Sequence, residues 1–243
     1  MAAAAAAIVG GITLWNCSDD ATSPSVRELR GEPVSVGSGT ARTVVTMNGD
    51  SALAVAVELS STALDGLPAD MSGWTLPLPT NANVAPYDHV TLNWNPAGHP
   101  PPGIYSVPHF DFHFYMVSSA AQAAVVGGPE AQSPAPQYVP TDYVPDPVAV
   151  PDMGVHWTDS TAKEFHGQPF TSTFIYGSHE NEFTFLEPMV TVAFLSSRPA
   201  FTQVIKTPAA VQHAGRYPTA YSVRYDPTTS TVRISLDGLV KRD

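Results

Sequence analysis

Cysteine is almost missing from these 243 residues. Cys17 stands alone, so no disulfide can form within the chain, and a zinc site built from several thiolates is excluded. Charge is scarce as well. Asp, Glu, Lys and Arg make up 14% of the residues, against ~25% in an average soluble domain. Basic residues are the rarer sign, 11 against 22 acidic, giving a net charge of −11 with no Lys/Arg run. A phosphate backbone would be repelled, so no nucleic-acid partner is expected, and an anionic membrane surface would be repelled too. No apolar run reaches the ~20 residues of a membrane-spanning helix. There is no G-x-S-x-G elbow, no P-loop and no dinucleotide fingerprint, and Gly177-Ser178-His179 lacks the second glycine of an elbow. No tandem repeat with a period of ~20–50 residues is visible.

Proline and glycine are plentiful, 24 and 17 residues, which favours turns and short strands over long helices. The patterning predicts an all-β fold with one or two short helices, an antiparallel sandwich or barrel with long Pro-rich loops. Residues 42–47 (RTVVTM) and 53–59 (LAVAVEL) read as two strands joined through Asn48-Gly49-Asp50-Ser51, a hairpin signal. Further strands are expected at 88–94, 109–117, 169–176, 182–186, 189–195, 202–205, 221–225 and 231–236. Residues 61–68 suit one helical turn, 76–79 a Pro-punctuated loop, 118–126 a short helix and 127–151 a long Pro-rich loop. His89 reads as a solvated strand residue, and His166, His179 and His213 as surface residues in turns.

Residues 2–15 (AAAAAAIVGGITLW) match the apolar core of a secretory signal in length. Leu14, three before Cys17 at the end of that run, resembles a bacterial lipoprotein signal. Residues 1–17 are therefore expected to be a signal peptide, with Cys17 as lipidation site. A non-lipidated signal or an Ala-rich leader fits the same run. Residues 18–32 read as a flexible tether and 33–243 as one β-rich domain. The expected location is periplasmic or cell-envelope, with the membrane reached only through an anchor at Cys17. A homo-oligomer is expected by class, and a small-molecule ligand of unspecified kind.

The sharpest feature is the alternating run HFDFHFYMV, residues 109–117. One face carries His109, Asp111, His113 and Tyr115, and the other Phe110, Phe112, Phe114 and Met116. Same-face neighbours on a strand stand ~7 Å apart, so two such side chains can share one ion more readily than three. If that face points inward, its imidazoles and carboxylate need partners, and a metal would satisfy them together. His156 in MGVHWTD and Glu187, read as lying between two strands, are the candidate additional ligands. The expected metal set is thus His109, His113, His156 and Glu187, for a divalent transition metal ion: zinc, manganese, iron or copper. Asp111, His99 of GHPPPG and the Tyr115 hydroxyl would orient the ligands from behind. Glu187 or Asp111 would serve as catalytic proton acceptor if the site is an enzyme's. Strand-borne histidines with a glutamate are also the ligand chemistry of cupins, at a different spacing.

The order of segments adds a resemblance. GSGTARTVVTMNGD, ALDGLP, LNWNPAGHPPPGIYSVPHFDFHFYM, MGVHWTD, FTSTFIYG, FTFLEPMVTVAFL and RYPTAYSVRYD follow one another across residues 33–236. This series resembles a bacterial family of exported proteins of unknown function, typified by a hypothetical Thermus protein. The resemblance implies a β-rich exported protein without an established activity. It matches His99, His109, Asp111, His113, His156 and Glu187 to recurring polar positions of that family. Here Ser178-His179-Glu180-Asn181 stands where such proteins often have a Gly-containing turn. Three readings stay open on the sequence: a metal-dependent enzyme, a non-catalytic metal-binding envelope protein, and a structural or oligomeric stress protein with a metal-free polar core.

Overall fold

The computed structural model describes Met1 and residues 25–130 and 132–243; the apolar leader and Cys17 lie outside the described residues. Among the described residues, strands form two seven-stranded antiparallel sheets and a two-stranded ribbon. The first sheet runs in the order β1 (Val26–Arg30), β3 (Gly39–Asn48), β4 (Ser51–Ser60), β15 (Thr231–Asp237), β14 (Ala220–Asp226) and β12 (Ala200–Val204), with β2 (Val34–Val36) paired to β3. The second runs β5 (Ser72–Pro77), β6 (His89–Asn95), β7 (His109–Tyr115), β11 (Glu182–Thr191), β10 (Ser172–His179), β9 (Val155–Asp159) and β8 (Tyr143–Pro145). The ribbon pairs β13 (Gly215–Tyr217) with β16 (Val240–Arg242). Two short helices, α1 (Ser119–Ala123) and α2 (Val192–Ser196), complete the chain. The all-β expectation holds, and of its two forms the sandwich is the one observed, because neither large sheet closes into a barrel.

Alternation of apolar residues builds the interior. Val45, Val55, Val57, Ile234 and Val223 of the first sheet meet Val90, Leu92, Phe110, Phe112 and Phe114 of the second in one continuous core. Cross-strand pairs such as Leu92 with Phe112 and Val90 with Phe114 put aliphatic against aromatic side chains on that face. The hairpin between β3 and β4 forms as expected, with Asn48 opposite Ser51. Its two-residue turn is Gly49-Asp50, and Gly49 takes φ +58°, the left-handed value that the first centre of a type II′ turn requires.

The middle of the second sheet is buried on both faces. All seven residues of β7 are buried. A smaller apolar cluster of Tyr105, Phe170, Ile175 and Met189 covers the outer side, with Ile104 and Phe165 packed against it. Tyr105 and Ile104 come from the Pro-rich connection between β6 and β7, so that loop is a cover rather than a surface excursion.

Three expectations change. Residues 26–30, expected within a tether, form a strand: Val26–Arg30 pairs with β3, from Val26 opposite Asn48 to Arg30 opposite Val44, and Leu29 packs against the core. Residues 76–79 are not all loop, since Leu76 sits fully buried in β5 opposite Val90, and Pro77 ends that edge strand where its missing N–H is tolerated. The two strands expected at 182–186 and 189–195 are one strand, β11, followed by α2. Pro188 cannot donate to β7, yet Leu186 opposite Phe114 and Met189 opposite Asp111 keep the same register on either side of it.

The first sheet's outer face is tied by charge. Glu58 is almost fully buried and lies directly opposite Arg42 on β3 and Arg233 on β15. Arg42 donates to its Oε1 at 2.6 and 3.0 Å, and Arg233 donates to its Oε2 at 2.6 Å. Arg233 also bonds Glu28, which fastens β1 to the sheet. Burial alone would raise the Glu58 pKa, but the hydrogen bonds from Arg233 and Arg42 outweigh it and hold the pKa below its ordinary value. A depressed carboxylate pKa contributes stability above the unfolded pKa, and that contribution is lost as pH falls through the folded value. Glu58→Gln should therefore cost about 1–2 kcal/mol at pH 7, less than for an enclosed pair because both arginines reach solvent. In urea unfolding the gap from wild type should close below pH ~4; a gap constant from pH 7 to 3 would show that the carboxylate's charge contributes nothing.

Candidate metal centres

On β7 the phenylalanines face the sandwich core, so His109, Asp111, His113 and Tyr115 face the covered outer side. The ~7 Å spacing of same-face residues separates them. They fall into two groups, His99 with His109 and Asp111, and His113 with His156 and Glu187. Within each group one donor atom per residue lies within 4.8 Å of the others. The single set expected from the sequence, His109, His113, His156 and Glu187, is thus divided. His109 leaves it to join His99 and Asp111, and those two residues, expected behind the ligands, present donor atoms themselves.

In the first group, the backbone sets the imidazoles. His109 Nδ1 lies 2.7 Å from the Val107 carbonyl, and His99 Nδ1 lies 2.7 Å from the Pro100 carbonyl. A carbonyl only accepts, so both Nδ1 atoms carry a proton, and in the neutral form each ring would present a bare Nε2. Those Nε2 atoms face Asp111, at 3.2 Å from His109 to Oδ1 and 3.5 Å from His99 to Oδ2. Asn95, opposite His109 across the β6–β7 ladder, donates to Asp111 Oδ2 at 2.7 Å. Burial works against charge on His99, but Asp111 and the Pro100 carbonyl outweigh it, and the pKa rises. Against its own burial, Asp111 is held below the usual carboxylate range by His109 and His99.

Three strands assemble the second group. His113 comes from β7 and Glu187 from β11, where the register on both sides of Pro188 sets it beside His113. His156 comes from β9 opposite Gly177 of β10. Gly177 is required there, because a Cβ would lie 1.9 Å from the Phe185 ring. Phe185 crosses that space and packs edge-on against both imidazoles, 4.9 Å from His113 and 5.3 Å from His156 by ring centroid. His113 Nε2 stands 3.4 Å from Glu187 Oε1, and His156 Nε2 stands 3.6 Å from Oε2. Burial pushes the pKa of His113 down to about 3 and that of His156 down to about 4. Burial, then the charges of Asp111 and Asp146, pushes Glu187 well up. Both imidazoles are thus in the uncharged form that ligates.

These groups are not content with one another. His109 Nε2, Asp111 Oδ1, both ring nitrogens of His113, and Glu187 Oε2 are buried without a hydrogen-bond partner, five of the seven such side-chain atoms among the described residues. Each orphaned polar atom costs about 1–3 kcal/mol, so so dense a cluster calls for a physical reason. The separations supply one. At 3.2–3.6 Å they lie at or beyond the upper end of a good N–H···O contact, ~2.7–3.2 Å. They match the ~3.3 Å between neighbouring donors around a tetrahedral ion with bonds of ~2.0–2.1 Å.

An open cavity of about 520 Å³ lies over both groups, reached by the first through His99 and Asp111 and by the second through His156. Tyr115 stacks between His113 and His89, and its hydroxyl donates to the Asp152 carbonyl at 3.0 Å, so its part is to brace the ring of His113. His89 is not the solvated residue expected. It is buried, with Nδ1 2.8 Å from Asp88 and Nε2 2.7 Å from Gln122 of α1. His166 and His213 are exposed, and His179 bonds Glu130. Asn95, Gly177 and Phe185 escaped the sequence reading. Only Asn95 carried a signal, as the next residue on the Thr91, Asn93 face.

Residues 50–94 match the model of the TTHB210-like family, whose description is hypothetical protein TTHB210. The match agrees with the resemblance to a hypothetical Thermus family of unknown function. It spans β4 to Trp94 of β6 and stops short of all six side chains of the two groups. No curated protein and no solved structure matches the chain.

Orphaned nitrogens make a direct prediction. His113→Leu stays close to the imidazole in volume and removes both unpartnered atoms, so metal-stripped protein should gain about 1–2 kcal/mol. Urea unfolding in chelator reads it; a destabilised variant would mean that His113 has structural partners after all.

Proposed function

We propose that this chain is an exported protein that holds divalent transition metal ions in two centres, His99–His109–Asp111 and His113–His156–Glu187, at the floor of a shared cavity. The observation that carries this reading is the set of buried, unpartnered donor atoms at ligand-to-ligand distances. Two neutral imidazoles and a carboxylate suit zinc, manganese, iron or copper, and three protein ligands leave positions open toward the cavity. Such an ion would polarise a carbonyl or activate water or dioxygen. On this geometry Asp111 and Glu187 serve as ligands, and the carboxylate left free at the cavity wall is Asp146. Export is supported by the apolar run at residues 2–15 and by Leu14 and Cys17, which suit an envelope location with a lipid anchor.

Elemental analysis of full chain purified without chelator tests the reading. Two ions per chain are expected, one each in His109→Ala and His113→Ala, and none in the double variant. Saturation at 100 times Kd should stabilise the wild type by about 2.7 kcal/mol for each centre. A chain that retains no metal and melts unchanged with added zinc, manganese, iron or copper would leave the metal-free polar core as the answer.

A further inference from the structure

The cavity has a chemistry of its own. Its floor is polar, with His99, Asp111, His156 and Asn95. Its walls are apolar, from Pro100, Pro101, Pro102, Pro147, Met153 and Ile175. At the rim, Met71, Val148 and Val150 are 69%, 48% and 39% exposed, apolar side chains left in water around one opening. Exposed apolar residues scattered singly need no explanation, but a ring of them around a concave site marks a binding surface.

The rim is built rather than loose. Asp146 N–H donates to the His156 carbonyl at 2.8 Å, and Val150 N–H donates to the Gly154 carbonyl at 2.8 Å, which ties the segment carrying Val148 and Val150 to β9. The volume of about 520 Å³ falls within the ~300–1,000 Å³ of small-molecule sites. No Lys or Arg lines it, while Asp111 and Asp146 do. A phosphate or other polyanion would meet two carboxylates and no protein cation, so the protein lining disfavours that class. A divalent ion held by two neutral imidazoles and one carboxylate keeps one net positive charge, which a single anionic head group would neutralise.

We propose that the cavity takes a small molecule with an apolar body and one monoanionic oxygen-donor head, a carboxylate or its like, with the head on a metal ion at the floor and the body against the proline wall and valine rim. This rests on the metal reading above. Octanohydroxamate and acetohydroxamate share a metal-binding head and differ in the apolar body, so they serve as probes. The full chain is loaded with zinc, its zinc content is measured, and each probe is titrated by calorimetry. Octanohydroxamate should bind at least tenfold more tightly than acetohydroxamate, and at least tenfold more tightly to the zinc-loaded than to the EDTA-treated chain. Val150→Asp and Met153→Asp should each weaken octanohydroxamate at least tenfold with zinc content unchanged. Equal affinity for the two probes, or no effect of either substitution, overturns the apolar body. Equal affinity with and without zinc overturns the metal-held head. Absence of zinc from the loaded chain is read before any titration; it removes the metal reading itself, and this proposal with it.

Discussion

A strand buried on both faces has few places to send its polar atoms. β7 is that strand, and the rest of the molecule is arranged around the consequence. Its three phenylalanines join the sandwich core, each contributing about 1.5–3 kcal/mol of apolar burial. Its other face carries two imidazoles and a carboxylate under a cover of Tyr105, Phe170, Ile175 and Met189. Each orphaned atom there costs an amount comparable to what one phenylalanine contributes. A sandwich of this size can carry such a cost at a few positions, and it does so where the atoms converge.

The fold was largely legible because it rests on period-two alternation. The β3–β4 hairpin, β6, β7, β14 and β15 all show it in sequence, and all form. Two misreadings share a cause, because Leu76 and Glu187 lie beside prolines, which read as punctuation. At Leu76 the edge strand runs up to Pro77, and at Glu187 the strand runs on through Pro188, where only one ladder loses a donor. β1 was hidden in a polar stretch because its hold on the sheet comes from backbone pairing and from Glu28 on Arg233, not from apolar patterning.

The site was legible as a residue list and not as a partition. His99, His109, Asp111, His113, His156 and Glu187 were all singled out, yet which of them meet depends on register between strands far apart in the chain. Spacing along one strand warned that three same-face groups would not share one point. It could not say that His99 would fold back from a Pro-rich loop to meet His109, or that Gly177 would admit Phe185 beside His113 and His156.

Although built from the same residue types, the two groups have opposite electrostatics. Around Asp111, a histidine of raised pKa and a carboxylate held below its usual range keep charge present. Around Glu187, burial suppresses charge on both imidazoles and on the carboxyl. Contact of Asp111 with His109 and His99 offsets burial in the first group, and His99 is also less covered. His99 keeps about a quarter of its side chain in solvent, 28%, whereas His113 and Glu187 keep 1% each. Asp111 also raises the cost of ionising Glu187, so positive charge placed between them would relieve both carboxylates together. The cavity that His99, Asp111 and His156 border therefore sets buried carboxylates beside an apolar enclosure, where a bound cation would satisfy them.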